Sequence, residues 1–213
     1  MTTLYTYWRS SAAFRVRLAL AVKQLLVTQV PVHLLINGGE QKTADYQALN
    51  PAQLVPCLQD GDLTLNQSLA IIEYLDQQYP GVALLPKDPA LQAQVRAFAL
   101  DIACDIHPLN NLRVLQYLTG TLGVTEEQKL AWIHHWLHSG FTALELRLQQ
   151  TAGRYCFGDV LTLADVCLVP QVYNAVRFNL PLEAYPTIRR LYQELLAMPA
   201  FHAAAPEQQA DAQ

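Results

Sequence analysis

The chain has 213 residues, 52% of them hydrophobic and 15% charged, with a formal net charge of −4. That length suits one large domain or two small ones, and the apolar content excludes intrinsic disorder. A mildly acidic chain without a basic stripe is a poor nucleic-acid binder, and its apolar runs are too short and too interrupted by charge to span a bilayer.

Residues 4–7 predict a short strand. Arg9-Ser10-Ser11 follows, then an alanine-rich apolar stretch that predicts a helix over 12–22. Ser10 or Ser11 can cap it, because a serine oxygen accepts from an unpaired backbone N–H. Residues 25–34 predict a second strand and Asn37-Gly38-Gly39 a turn. Val55-Pro56-Cys57-Leu58 and Leu63-Thr64-Leu65 flank Asp60-Gly61, which signals a hairpin. Pro56 cannot donate to a ladder and should start its strand. Leu69, Ile71, Ile72, Tyr74 and Leu75 have helical spacing over 68–79. This half reads β-α-β-α-β-β-α.

A composition shift over 81–87 marks a linker. Asp88-Pro89 has the form of a helix cap followed by proline at the first helical position, and the chain beyond reads as helix almost throughout. Thr125-Glu126-Glu127-Gln128 fits a capping box, and Thr162-Leu163-Ala164-Asp165 resembles one. Tyr185-Pro186-Thr187 opens a last helix that Met198-Pro199 ends. Residues 206–213 read as a polar, frayed tail. The expected architecture is an α/β domain over 1–80 and an all-α domain over 88–213, joined by 81–87.

The N-terminus lacks the basic and apolar regions of a signal peptide, so the expected location is cytoplasmic. Cys57, Cys104, Cys156 and Cys167 are widely spaced without a Cys-X-X-Cys pair, which reads as buried reduced thiols rather than disulfides or a metal site. His134 and His138 lie four apart on a helix but lack a third ligand. A solvated helix face is the expectation, and no metal.

Trp8-Arg9-Ser10-Ser11-Ala12-Ala13-Phe14-Arg15-Val16-Arg17 resembles the Ser-Ser-Cys-Ser-X-Arg-Val-Arg signature of the zeta-class glutathione transferases. Ala48-Leu49-Asn50-Pro51 with Val55-Pro56, the tract from Gln67 to Leu75, Asp105-Ile106-His107-Pro108-Leu109-Asn110-Asn111 and Leu168-Val169-Pro170-Gln171-Val172 are similar to the same class. The Gln-Ser and Val-Pro pieces are widespread among glutathione transferases; the first and last tracts are more specific. The likeness spans nearly the whole chain. Ala12 stands where the class has cysteine and Ala13 where it has serine, so no role of that cysteine carries over.

The resemblance implies the soluble glutathione transferase fold, a thioredoxin-like glutathione-binding domain followed by an all-helical substrate domain, in a cytoplasmic homodimer. It implies glutathione as cofactor and cis–trans isomerisation of maleylacetoacetate to fumarylacetoacetate, a step of tyrosine and phenylalanine catabolism, by thiolate addition, bond rotation and elimination. Maleylpyruvate, or transfer of glutathione to halogenated and other electrophilic compounds, are the alternatives. A transferase-like interaction module would be expected to lose the glutathione-binding residues, which are present.

Ser10, with Ser11 beside it, is the implied thiol activator. A helix N-terminus stabilises an anion, and a serine hydroxyl can donate to sulfur; serving only as caps is the competing role. Val55 and Pro56 resemble the loop that pairs with glutathione's cysteinyl backbone, in which a cis Pro56 would expose the Val55 N–H and C=O. Gln67 and Ser68 open the third helix and suit the γ-glutamyl carboxylate. Gln41, His107 and Asn111 resemble further glutathione or cleft positions, with a structural histidine as the other reading of His107. Arg9, Arg113 and Arg177 are the candidates for the substrate's carboxylates, since the planar guanidinium matches them; a solvated surface arginine is the alternative for each.

Overall fold

The computed structural model describes residues 2–213. They form two compact units, one running to Leu84 and including Ala197–Gln213, the other Leu85–Leu196. Among the described residues no helix is long and apolar enough to cross a membrane.

The first unit contains β1 (Thr2–Thr6), α1 (Ser11–Val22), β2 (Thr28–Pro31), α2 (Ala44–Leu49), β3 (Cys57–Asp60), β4 (Leu63–Asn66) and α3 (Ser68–Gln78). The sheet order is β2-β1-β3-β4, with β1 parallel to β2 and antiparallel to β3. Alternation along the strands sorts the side chains. Tyr5 and its partner Cys57 face α2, where Tyr46 sits edge-on to Tyr5. Leu4, Thr6 and Leu58 face the other way and are buried. That face carries α1, whose Arg17 donates to Thr6, and α3, whose Tyr74 donates to Asp60.

Three local details differ from the sequence expectation. β2 is shorter than residues 25–34: it is an edge strand covering Thr28–Pro31. The hairpin loop is Gly61-Asp62 rather than Asp60-Gly61: Asp60 pairs with Leu63, and the positive φ of 59° falls on Gly61, where no Cβ opposes it. Cys104 is exposed, whereas the other three cysteines are buried; it lies on a π-helical turn, Asp101–Ile106, whose buried positions are Ile102 and Ile106.

The linker is anchored within the first unit. Lys23 Nζ meets Asp76 Oδ1 at 3.0 Å and Val82 O at 3.0 Å, while the Leu84 N–H donates to both Asp76 oxygens.

The second unit holds α4 (Pro89–Leu100), α5 (Leu112–Gly120), α6 (Glu126–Thr151), α7 (Leu163–Arg177) and α8 (Pro186–Leu196). α7 is buried along almost its whole length. Its start is fixed by Asp165, whose carboxylate accepts from Cys156 N (2.8 Å), Thr162 N (2.8 Å) and Thr162 Oγ1 (3.0 Å). Glu145 on α6 accepts from Thr187 N and Ile188 N, placing a carboxylate at the N-terminus of α8. His134 and His138 each make a hydrogen bond on the helix face expected to be solvated: His134, half-buried, bonds through Nε2 to Phe178 O, and His138, exposed, through Nδ1 to the Tyr185 hydroxyl.

The chain does not fray after α8. Pro199 cannot continue that helix but starts a new one, α9 (Pro199–Ala204), which packs on α1 in the first unit. Asp211 Oδ2 then accepts from Trp8 N at 3.0 Å, and Ala212 packs beside Tyr7 and Trp8. Residues 197–213, expected in the helical domain, therefore lie with the sheet.

Asp60 is the last residue of β3. Hydroxyls of Tyr79, Thr2 and Tyr74 donate to its carboxylate and hold its pKa below the usual aspartate value. A pKa lowered by folding stabilises the native state above the unfolded value, and that contribution fades as pH falls through the lower folded one. Asp60→Asn is expected to be less stable than the parent at pH 7, with the gap closing below about pH 4. Urea midpoints measured across pH 2.5–7 (a range set by roughly that titration) check this; a gap constant with pH would contradict it.

Candidate functional site

Ser10 is the N-cap of α1. Its Oγ accepts from Ala13 N at 3.2 Å, and its C=O accepts the first helical bond from Phe14 N. The hydroxyl proton is not used by that cap, so capping and donation to an external acceptor are compatible roles. Ser11, the first helical residue, is buried.

Two buried arginines farther along α1 hold this terminus and its neighbour. Arg17, 2% exposed, donates from Nε to Ala204 O (3.2 Å), from Nη1 to Thr6 Oγ1 (3.1 Å) and Tyr7 O (3.2 Å), and from Nη2 to Trp8 O (2.8 Å). Arg15 Nη1 donates to Ser68 Oγ at 3.2 Å. The oxygen of Ser68 thus accepts from a cation, which leaves its hydroxyl proton for another acceptor. In the sequence these arginines stand only as the Arg-Val-Arg part of a motif, without partners. The signal was available, since charged residues inside an all-apolar helix must find partners when that helix is buried.

Ser68 starts α3, and Gln67 before it has φ 69° with no side-chain cap bond. A non-glycine residue in this region is strained and points to a functional constraint. The Gln67 side chain therefore does not cap the first N–H groups of α3, the kind of helix terminus that favours an anion.

The Val55-Pro56 peptide bond is cis, and both residues are buried. Gln41 is the buried residue of the 3₁₀ turn Glu40–Lys42 that precedes α2. Its Nε2 donates to Leu34 O at 3.4 Å, while its Oε1 is buried without a partner among the described residues. Gly39, at φ 106°, makes this possible: a Cβ there would lie 2.6 Å from the Gln41 amide. The buried thiol of Cys57, next to Pro56, is pushed up to about 11 by burial. It is therefore no thiolate nucleophile at neutral pH.

Arg9 is half-buried with its guanidinium 5.0 Å from the Trp8 ring centroid, and it makes no ion pair among the described residues. In the second unit, His107 begins a 3₁₀ turn (His107–Asn110) directly after the π-helical turn. Asn111 caps α5 by accepting from Arg113 N at 3.2 Å. Arg113 is exposed in the first turn of α5, and Arg177, in the last turn of α7, is exposed with its guanidinium 4.6 Å from the Phe178 ring centroid. No group of three or more His, Cys, Asp or Glu residues able to hold a metal is found among the described residues.

The first unit therefore brings a serine hydroxyl donor at one helix N-terminus, a second helix N-terminus without a side-chain cap, and a buried amide oxygen acceptor without a partner among the described residues. That set suits a small anionic peptide bearing a thiol.

Comparison with known proteins agrees with this chemistry. The family model described as glutathione S-transferase, N-terminal domain, matches residues 1–77. A probable maleylacetoacetate isomerase of Vibrio cholerae is 58% identical over 98% of this chain and 97% of its own. The holo structure of maleyl pyruvate isomerase, a bacterial zeta-class glutathione S-transferase, superposes with TM-score 0.95 at 45% identity, covering 99% of this chain and 100% of that one. A maleylacetoacetate isomerase from Methylobacterium extorquens AM1, solved with malonate and glutathione bound, gives TM-score 0.94 at 40% identity over 99% of each chain.

Arg17→Leu removes four charge-assisted bonds and leaves the carbonyls of Tyr7, Trp8 and Ala204 without that donor. The expected loss is about 3 kcal/mol of stability or more. Chemical denaturation of parent and variant measures it, and a loss below about 1 kcal/mol would show that other groups hold the loop.

Proposed function

The chain belongs to the maleylacetoacetate isomerase family of zeta-class glutathione transferases, and on that premise we propose that it isomerises maleylacetoacetate to fumarylacetoacetate with glutathione as cofactor. One observation carries the reading: the Ser10 hydroxyl stands at the N-terminus of α1 with its oxygen engaged by Ala13 N and its proton left to donate. Bound glutathione supplies a thiolate that adds reversibly to a conjugated double bond and so permits rotation about it.

The chain's own groups do the rest. Ser10, supported by Ser11 and the dipole of α1, lowers the cost of keeping that sulfur ionised. Val55 offers backbone donor and acceptor beside Pro56 to the cysteinyl residue. Ser68, Gln67 and the N-terminus of α3 receive the γ-glutamyl carboxylate, and the orphaned Gln41 Oε1 accepts from the same ligand. His107 and Asn111 are assigned to glutathione with them. Arg9, Arg113 and Arg177 bind the substrate's carboxylates, and their charge favours the negative charge that develops on the substrate's carbonyl oxygen. No net proton transfer is required of the protein. Most of the glutathione contacts thus come from the first unit and two of the three substrate arginines from the second, and the chain acts as a cytoplasmic homodimer.

Maleylpyruvate is the second reading. It is favoured by the exposed Arg113 on α5, a cation available to a shorter keto acid, and by the likeness to a maleyl pyruvate isomerase.

An absorbance assay on both maleyl compounds, with and without glutathione, tests the proposal; turnover of either without glutathione would sink it. Ser10→Ala is expected to lose about a hundredfold in kcat/KM, in line with removing one donor to a developing or resident anion, while circular dichroism stays native. Full activity would move the role to Ser11 and the helix terminus.

A further inference from the structure

The peptide unit between Leu54 and Val55 is gripped from its carbonyl side. The Tyr46 hydroxyl donates to Leu54 O at 2.7 Å and Asn50 Nδ2 donates to the same oxygen at 2.8 Å. The cis bond is the next one, Val55-Pro56. In a planar trans peptide the C=O and N–H point in opposite directions. Two donors on the Leu54 carbonyl therefore aim the Val55 N–H away from Tyr46 and Asn50.

The other end of the Asn50 amide works on a different loop. Its Oδ1 accepts from Asn66 Nδ2 at 3.2 Å and from Ala52 N at 3.2 Å. Asn66 is the last residue of β4 and stands directly before Gln67 and Ser68. Asn50 is itself only 2% exposed, so it acts through its neighbours.

We infer that Asn50 is a positioning residue for the peptide cofactor, orienting the Val55 N–H and the Gln67–Ser68 turn through the two ends of one amide. The inference rests on the glutathione reading above. The chemistry explains the residue type. A primary amide carries a donor and an acceptor on one rigid plane. Aspartate would keep the acceptor for Asn66 and Ala52 but set a second oxygen against Leu54 O. Leucine would fill the space and hold neither loop.

The test compares parent, Asn50→Ala, Asn50→Asp, Asn66→Ala and Tyr46→Phe by steady-state kinetics in glutathione and by calorimetric titration with glutathione. The KM and Kd for glutathione are expected to rise about tenfold in the two Asn50 variants and about threefold in the single-bond variants Asn66→Ala and Tyr46→Phe. The kcat at saturating glutathione should stay within about twofold of the parent. A purely structural Asn50 would lower the melting temperature and leave KM and Kd of the folded protein unchanged, and that result overturns the inference. If Asn50→Ala does not fold, unchanged KM in both Asn66→Ala and Tyr46→Phe overturns it equally. No titration of the parent by glutathione would overturn the cofactor reading, and this inference with it.

Discussion

The buried guanidinium of Arg17 is the constraint on which the first unit depends. It gathers Thr6 Oγ1, Tyr7 O and Trp8 O from the end of β1 and Ala204 O from α9. The planar guanidinium offers five N–H donors in a fixed fork, so one side chain can hold four acceptors at once. With the Tyr7 and Trp8 carbonyls turned toward α1, the chain bends tightly, Ser10 N bonds back to Tyr7 O, and the helix begins at the place that presents the serine hydroxyl. The same guanidinium explains why the C-terminal segment belongs with the sheet: α9 supplies one of its acceptors, and Asp211 adds a bond to the Trp8 N–H of the same loop.

One helix thereby sets two hydroxyls in relation. Ser10 caps α1, and Arg15, one and a half turns on, reaches Ser68 at the start of α3. A ligand contact built on helix termini and buried ion-supported hydroxyls is held more rigidly than one on a loop. Where loops are used, they are clamped from behind. Leu54 O takes two donors, and the Gln41 side chain folds back into space that Gly39 leaves open. The strained φ of Gln67 belongs to the same pattern, a local cost maintained by the packed elements on either side.

What could be read from the chain was local. Ser10, Asp88 and Thr125 cap helices as their residue types and spacing indicate, because a cap is decided within four residues. Strand alternation and helical periodicity located the sheet and helices for the same reason. Arg15 and Arg17 were legible only as a motif, since their partners are Ser68, Thr6, Tyr7, Trp8 and Ala204, separated from them by between 9 and 187 positions. Asn50 was legible only as part of the Ala48–Pro51 tract, since its partners Leu54 and Asn66 are set by the fold of the loops. The tail looked polar and loose because the residues that hold it, Trp8 and Arg17, lie at the opposite end of the chain.

The sequence by itself determined the class of fold, the family and the residue types at each helix terminus, because periodicity, caps and short motifs are properties of neighbouring residues. Only the tertiary structure decided which charged side chains are buried and what they hold, where β2 stops, which residues form the hairpin loop, and that the last helix packs beside the first. Those outcomes depend on contacts between segments far apart in the chain, where burial and hydrogen-bond satisfaction, rather than local preference, choose the answer.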